Sequence, residues 1–205
     1  MKAEEFRQRL ERETNLSSLL DVCLRNDKMP YVFEPKPQRW TEFCEVLNAS
    51  LGVARDSIRI VGSARLGFSM KPGNDLRPFS DTSDIDVVIV DAGLFDRLWL
   101  SLLDAAYPRR PAIERFPGGW LKTRRNEIYT GWLTPADIKM DLTIFGARAR
   151  PVVEFGSKWF NALKAASRYP PRRHDDVKGR LYRTWEHAEL YHIDSLTQLQ
   201  RTLAA

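Results

Sequence analysis

The chain predicts an α/β (α+β) protein: a small mixed β-sheet with flanking helices and helical additions at its N- and C-terminal ends. Three observations predict it. Ile58–Val61 and Val87–Val90 are short β-branched runs of strand character. Apolar residues recur at helical spacing on both sides of them, among many charges. The 205 residues are 43% hydrophobic and 29% charged, enough for one core with helical additions and ordinary for a globular chain. Residues 1–52 are read as an N-terminal helical segment, 53–160 as the core, and 161–205 as a basic, aromatic helical segment, together one globular unit.

In chain order, Phe6, Leu10, Leu16, Leu19, Leu20 and Val22 give one or two amphipathic helices, broken near Thr14-Asn15. Pro30, Pro35 and Pro37 mark a linker, and Trp40 to Leu51 forms the next helix. Strand Ile58–Val61 ends at Gly62-Ser63. The Gly-, Pro-, Asn- and Ser-bearing stretch 67–81 reads as a loop, with Lys71 and Arg77 as phosphate-reaching cations or as solvated side chains. A strand entered at Asp84 and Asp86 and continuing through the β-branched run Val87–Val90 follows, then a helix from Leu94 to Ala106. Trp120, Ile128, Tyr129 and Trp132 suggest short helical or irregular pieces. Residues 137–146 alternate, with Ile138, Met140, Leu142 and Ile144 on one side, and predict a strand. Val152–Phe155 starts either a short strand or the Trp159-Phe160 helix, and Lys178 to Leu203 reads as a long helix or helix pair.

The chemistry is concentrated at Ser83-Asp84-Ile85-Asp86. Carboxylates two residues apart on a strand project to one face, about 6–7 Å apart. Unneutralised they repel each other, and a divalent cation relieves the repulsion. The β-branched run after Asp86 places the pair at one end of a strand covered on both faces. Gly62 lets the backbone approach a phosphate, and Ser63 offers a hydroxyl and an N–H beside it.

Gly-Ser followed by Ser-Asp-x-Asp opening a strand resembles the DNA polymerase β-type nucleotidyltransferase superfamily, over residues 57–145. The segment between Ser63 and Asp84 is longer than in compact members, which is more similar to the small phage-defence type than to the minimal antitoxin type. The resemblance implies two Mg²⁺ ions, with Mn²⁺ as a substitute, held by Asp84, Asp86 and a third carboxylate from a later strand. Asp141, a lone carboxylate in the middle of the 137–146 pattern, is the choice for that ligand and for the general base; Asp137, at the strand start, is the weaker candidate. Gly62, Ser63, Arg65, Ser83, Lys178 and Arg180 are the expected nucleotide-binding residues.

Around Lys178 and Arg180 the chain is basic and aromatic. Its cations suit phosphates and Tyr182, Trp185 and Tyr191 suit base stacking, while Leu181, Trp185, Ala188, Tyr191 (or His192) and Leu196 equally fit a helical core face with the charges on its solvent side. His187 and His192 lack partners at zinc-ligand spacing and read as ordinary structural or surface histidines. The net charge of +5 favours polyanionic ligands. No apolar run approaches the roughly 18 residues that cross a bilayer, no signal-peptide core stands at the N-terminus, and Cys23 and Cys44 read as buried thiols. The expected setting is therefore cytoplasmic, with no membrane partner.

The activity implied by the resemblance is transfer of a nucleotidyl group from an NTP or dNTP to a hydroxyl, with pyrophosphate released. Acceptors in the superfamily include nucleic acid, protein and other nucleotides, and small stand-alone members sit in antiphage or toxin–antitoxin modules beside a cognate effector or toxin. The competing readings are a non-catalytic nucleotide- or nucleic-acid-binding antitoxin-like module, a protein that binds nucleic acid through its basic segment alone, and a phosphohydrolase using the same cations.

Overall fold

The computed structural model describes residues 1–107, 126–138, 140, 142–171 and 176–203. Helix α1 (Ala3–Arg12) and the short α2 (Ser17–Leu20), which runs into a π-helical turn over Asp21–Arg25, form the N-terminal segment. Helix α3 (Gln38–Leu51) leads through a turn to strand β1 (Ile58–Val61) and the single-turn α4 (Ser63–Leu66). Strand β2 (Ile85–Val90) is followed by α5 (Ala92–Ala106), capped by the Asp91 carboxylate accepting from the Leu94 N–H. Then come β3 (Trp132–Leu133), α6 (Leu142–Phe145), α7 (Arg150–Ala166), β4 (Val177–Tyr182) and α8 (Trp185–Leu203).

The four strands form one mixed sheet in the order β1-β2-β4-β3. β1 runs antiparallel to β2, β4 parallel to it, and β3 antiparallel to β4. Alternation gives the sheet two different faces. Ile58, Ile60, Ile85, Val87, Ile89 and Leu181 pack into the main core with α3, α5 and α7. Val61, Val88, Val90 and Tyr182 pack on the other face against Leu20, Leu24, Ala188 and the rings of Trp185 and Tyr191. Loop 67–81 does not lie free: Phe68 and Leu76 are buried with Phe6 and Leu10 of α1 and Leu196 and Leu199 of α8.

Two expectations are corrected. The described residues of 137–146 do not show the predicted strand. Pro135–Asp137 is a 3-10 turn, Leu142–Phe145 is helical, and a second 3-10 turn leads into α7. The buried positions Ala149, Val152, Gly156, Trp159, Leu163 and Ala166 follow a helical period, and that period governs the chain from Leu142 onward. Val152–Phe155 accordingly belongs to the helix, not to a strand. Second, 178–203 is not all helix. Val177–Tyr182 is a strand, its apolar face (Val177, Gly179, Leu181) toward the main core and its polar face carrying Lys178 and Arg180. The 161–205 segment thus supplies a strand beside β2, and the boundary expected at 160 falls inside α7. Both cysteines are buried free thiols, and burial pushes each up to about 12. Among the described residues no helix is long and apolar enough to cross a membrane.

Gly179 allows α7 to close on β4. A Cβ there would lie 2.9 Å from the Trp159 ring and 3.1 Å from a Leu163 methyl, both in the buried core. Gly179→Ala should therefore overpack this contact and cost about 1–3 kcal/mol, read as a shift in the urea midpoint without loss of cooperativity.

Candidate functional site

The site is built where β1 ends and where β2 and β4 begin. Register sets Val61 opposite Asp86 on one side and Lys178 opposite Asp86 on the other. Leaving Val61, the chain turns at Gly62 with φ 65° and ψ −146°, a conformation that side-chain-bearing residues hold only under strain. A Cβ on Gly62 would sit 3.4 Å from Asp86 Oδ2, so the glycine backbone lies directly against this carboxylate. Ser63 follows at the start of α4. The predicted juxtaposition of the Gly-Ser turn with the Asp-x-Asp pair is present.

Asp84 stands one step before β2, on the same side as Asp86 by alternation. The Lys178 ammonium donates to Asp84 Oδ2 at 2.6 Å and lies 3.4 Å from Asp176 Oδ2. Arg180, next along the same face of β4, has its guanidinium carbon 5.4 Å from the centre of the Trp132 ring and 4.9 Å from that of Tyr191. Burial holds the Asp86 carboxyl above the ordinary aspartate range; Arg180 and Lys178 pull it back, while Asp84 adds to the rise. A cavity of about 500 Å³ opens beside these groups, lined among others by Asp86, Asp137, Lys164, Asp176, Lys178 and Arg180. Its size suits a nucleotide-sized ligand.

Other expected residues go elsewhere. Arg65 is 7% exposed and lies in the wall, not at the cavity. Its guanidinium donates to the carbonyls of Asn26, at 2.8 Å, Lys28 and Val22, and to the Asn26 side chain. It ties α4 to the end of the N-terminal segment, and its assignment to nucleotide binding is corrected: the helical turn after Gly62 carries residue 65 away from the carboxylates. Ser83 closes a turn, its Oγ accepting from the Ser80 N–H at 3.0 Å. Asp141 lies outside the described residues. His192 is buried, and that burial pushes its ring down to about 4, so it is neutral. His187 hydrogen-bonds Thr184.

Asp176 escaped the sequence reading, although a signal existed. It precedes the alternating run Val177–Tyr182 as Asp84 precedes Ile85, and its carbonyl accepts from the Ile85 N–H at 3.0 Å. No family model, no curated protein and no solved structure matches this chain.

Two substitutions separate wall from site. Arg65→Met keeps the aliphatic stem but strips several backbone carbonyls of their donor. It should cost about 2–4 kcal/mol, a fall in Tm of roughly 5–12 °C by thermal unfolding. Asp86→Asn should do the opposite. A carboxyl held above its unfolded value contributes stability below that unfolded value and loses it as pH rises through the folded one. In chelator-treated buffer the asparagine variant should be the more stable at neutral pH. The difference should fade toward and below about pH 4, checked by urea titrations along the pH series.

Proposed function

We propose that this chain is a divalent-cation-dependent nucleotidyltransferase. The observation that carries the reading is the Val61–Asp86 register, which sets the Gly62 backbone against the carboxylate of an Asp-x-Asp pair at the mouth of a cavity. The donor set fits the group it implies. Asp84 and Asp86 offer hard carboxylate oxygens to one side, and partial burial with the neighbouring Asp84 charge holds the Asp86 carboxyl above its ordinary range, a cost that a bound cation would relieve. These two residues, with Asp141 as the third ligand by resemblance, would hold Mg²⁺ or Mn²⁺. When bound, the cations supply charge to activate the attacking oxygen and to stabilise the leaving group.

The chain's own residues define the rest. Gly62 gives a triphosphate close approach to the backbone, and Ser63 adds a hydroxyl and an N–H. Lys178 and Arg180 face the cavity as cations for phosphate oxygens, Arg180 steadied by two aromatic faces. An acceptor hydroxyl oxygen bonds to the α-phosphorus of an NTP or dNTP, the bond from that phosphorus to the bridging oxygen breaks, and pyrophosphate departs with the electron pair. The hydroxyl proton passes to a carboxylate, a role proposed for Asp141 from its place in the sequence pattern. The acceptor belongs to one of the superfamily's classes, nucleic acid, protein or nucleotide, and the setting proposed is a defence or toxin–antitoxin module in the cytoplasm with a cognate partner.

One observation favours a second reading, a module that binds nucleotide without catalysis. Lys178 already neutralises Asp84, as a fixed cation would in a site that uses no metal.

The two readings part on incubation with Mg²⁺ and each α-labelled NTP and dNTP. The enzyme moves label into an oligonucleotide, a protein or a nucleotide adduct and releases pyrophosphate. Asp84→Asn/Asp86→Asn lowers that rate by roughly two to three orders of magnitude, because cation charge at a phosphoryl centre is worth several kcal/mol. Transfer that survives the double substitution would sink the assignment. Nucleotide binding with no transfer from any donor would leave the second reading standing.

A further inference from the structure

Two cations on alternate residues of β4 face the carboxylate pair, and they are held very differently. Arg180 lies against the faces of Trp132 and Tyr191. Lys178 reaches out on a flexible stem, its side chain 54% exposed, and bonds an Asp84 that is itself 44% exposed. One cation is fixed and the other can change partners.

The oxygen that Lys178 holds, Asp84 Oδ2, belongs to one of the two carboxylates that a divalent cation would need. An ammonium and a divalent ion cannot share it without strong mutual repulsion. Asp84 Oδ1 stays open, but a cation there would still lie beside the ammonium, so Lys178 competes with metal for Asp84 and its departure frees both oxygens. Asp176, 3.4 Å from the ammonium, offers a temporary partner, and triphosphate oxygens in the adjoining cavity offer a better one.

We propose that Lys178 is a tethered counter-ion that occupies Asp84 until a nucleotide's phosphates draw it off, so that nucleotide gates cation loading; this rests on the nucleotidyltransferase reading. Without nucleotide the carboxylates are partly neutralised from within, and the site holds metal weakly. Phosphates accept the ammonium and release Asp84 at the same moment that they contribute their own oxygens to the cation. Nucleotide and cation then raise each other's affinity by the same factor, as linkage requires. A half-exposed ion pair is weak enough to serve as such a latch, because opening it costs little. The Lys178 ammonium is itself stabilised by this bond to Asp84, which raises its proton affinity and keeps it charged.

The test is Mn²⁺ binding to the full chain without nucleotide, read from the electron spin resonance signal of free Mn²⁺. Lys178→Met should bind Mn²⁺ about two- to fivefold more tightly than the native chain, the range expected from releasing one exposed ion pair. Lys178→Gln, which keeps a polar side chain but no charge, should move the same way. Lys158→Met is the control: Lys158 is exposed on α7 outside the cavity lining, and its loss should leave Mn²⁺ binding unchanged. In an Asp84→Asn background the Lys178 substitution should have no further effect. Equal Mn²⁺ affinity in the native and Lys178 variants, or an equal gain in Lys158→Met, overturns the latch while leaving the metal site in place. Absence of Mn²⁺ binding in every variant overturns the metal-dependent reading and the latch together.

Discussion

Everything at this site depends on the pairing of β2 with a neighbour on each side. The strand is short, and its polar end would be a liability alone: a half-buried carboxylate with another two residues away. The turn that leaves β1 sets Gly62 beside Asp86, in a positive-φ conformation that glycine holds without strain. β4 contributes the positive charge that the pair lacks, with Lys178 in register with Asp86 and Arg180 one step further along the same face. Shift either register by one residue and the set is lost, because alternate side chains point to opposite faces.

The buried surroundings exist to hold that register. Ile85, Val87 and Ile89 drive one face of β2 into the main core, which leaves Asp86 and Val88 no choice of direction. The close approach of Trp159 and Leu163 over Gly179 fixes β4 in depth, and Arg65 pins the helical turn after Gly62 to the N-terminal segment. These groups carry no chemistry of their own. They restrict where the polar groups can sit, and the mildly unfavourable carboxylate at the centre is tolerated because the rest of the sheet over-determines it.

Much of this was legible in the sequence because it is local. The runs at 58–61 and 85–90, the glycine turn and the Asp-x-Asp pair lie within one antiparallel unit, and β-branched composition announced both strands. The mixed α and β class, the helices α1, α3 and α5, and the break after α1 followed from the same kind of pattern. The third strand of the site was not legible for a physical reason. Val177–Tyr182 is short and charged and runs straight into α8, so Leu181, Trp185 and Ala188 also satisfy a helical spacing. What makes it a strand is a partner far away in the chain, β2, which no window of sequence contains. The opposite error came at 137–146, where a few alternating apolar residues mimic a strand but those from Leu142 are captured by the long period of α7. Arg65 was misread because adjacency to Gly62-Ser63 suggested a shared target. One helical turn is enough to send neighbours in opposite directions.

The parallel pairing of Ile85 with Val177 has a consequence for the order of events as the chain folds. β1 and β2 can meet as soon as the first half of the molecule has been made, and the Gly-Ser turn with it. The strand carrying Lys178 and Arg180 emerges only after α5 and α7, and a contact spanning that much chain forms slowly. A nascent molecule therefore presents its acidic pair before it possesses the cations that balance it. A chain cut short before β4 would keep that carboxylate pair with neither Lys178 nor Arg180 to balance it.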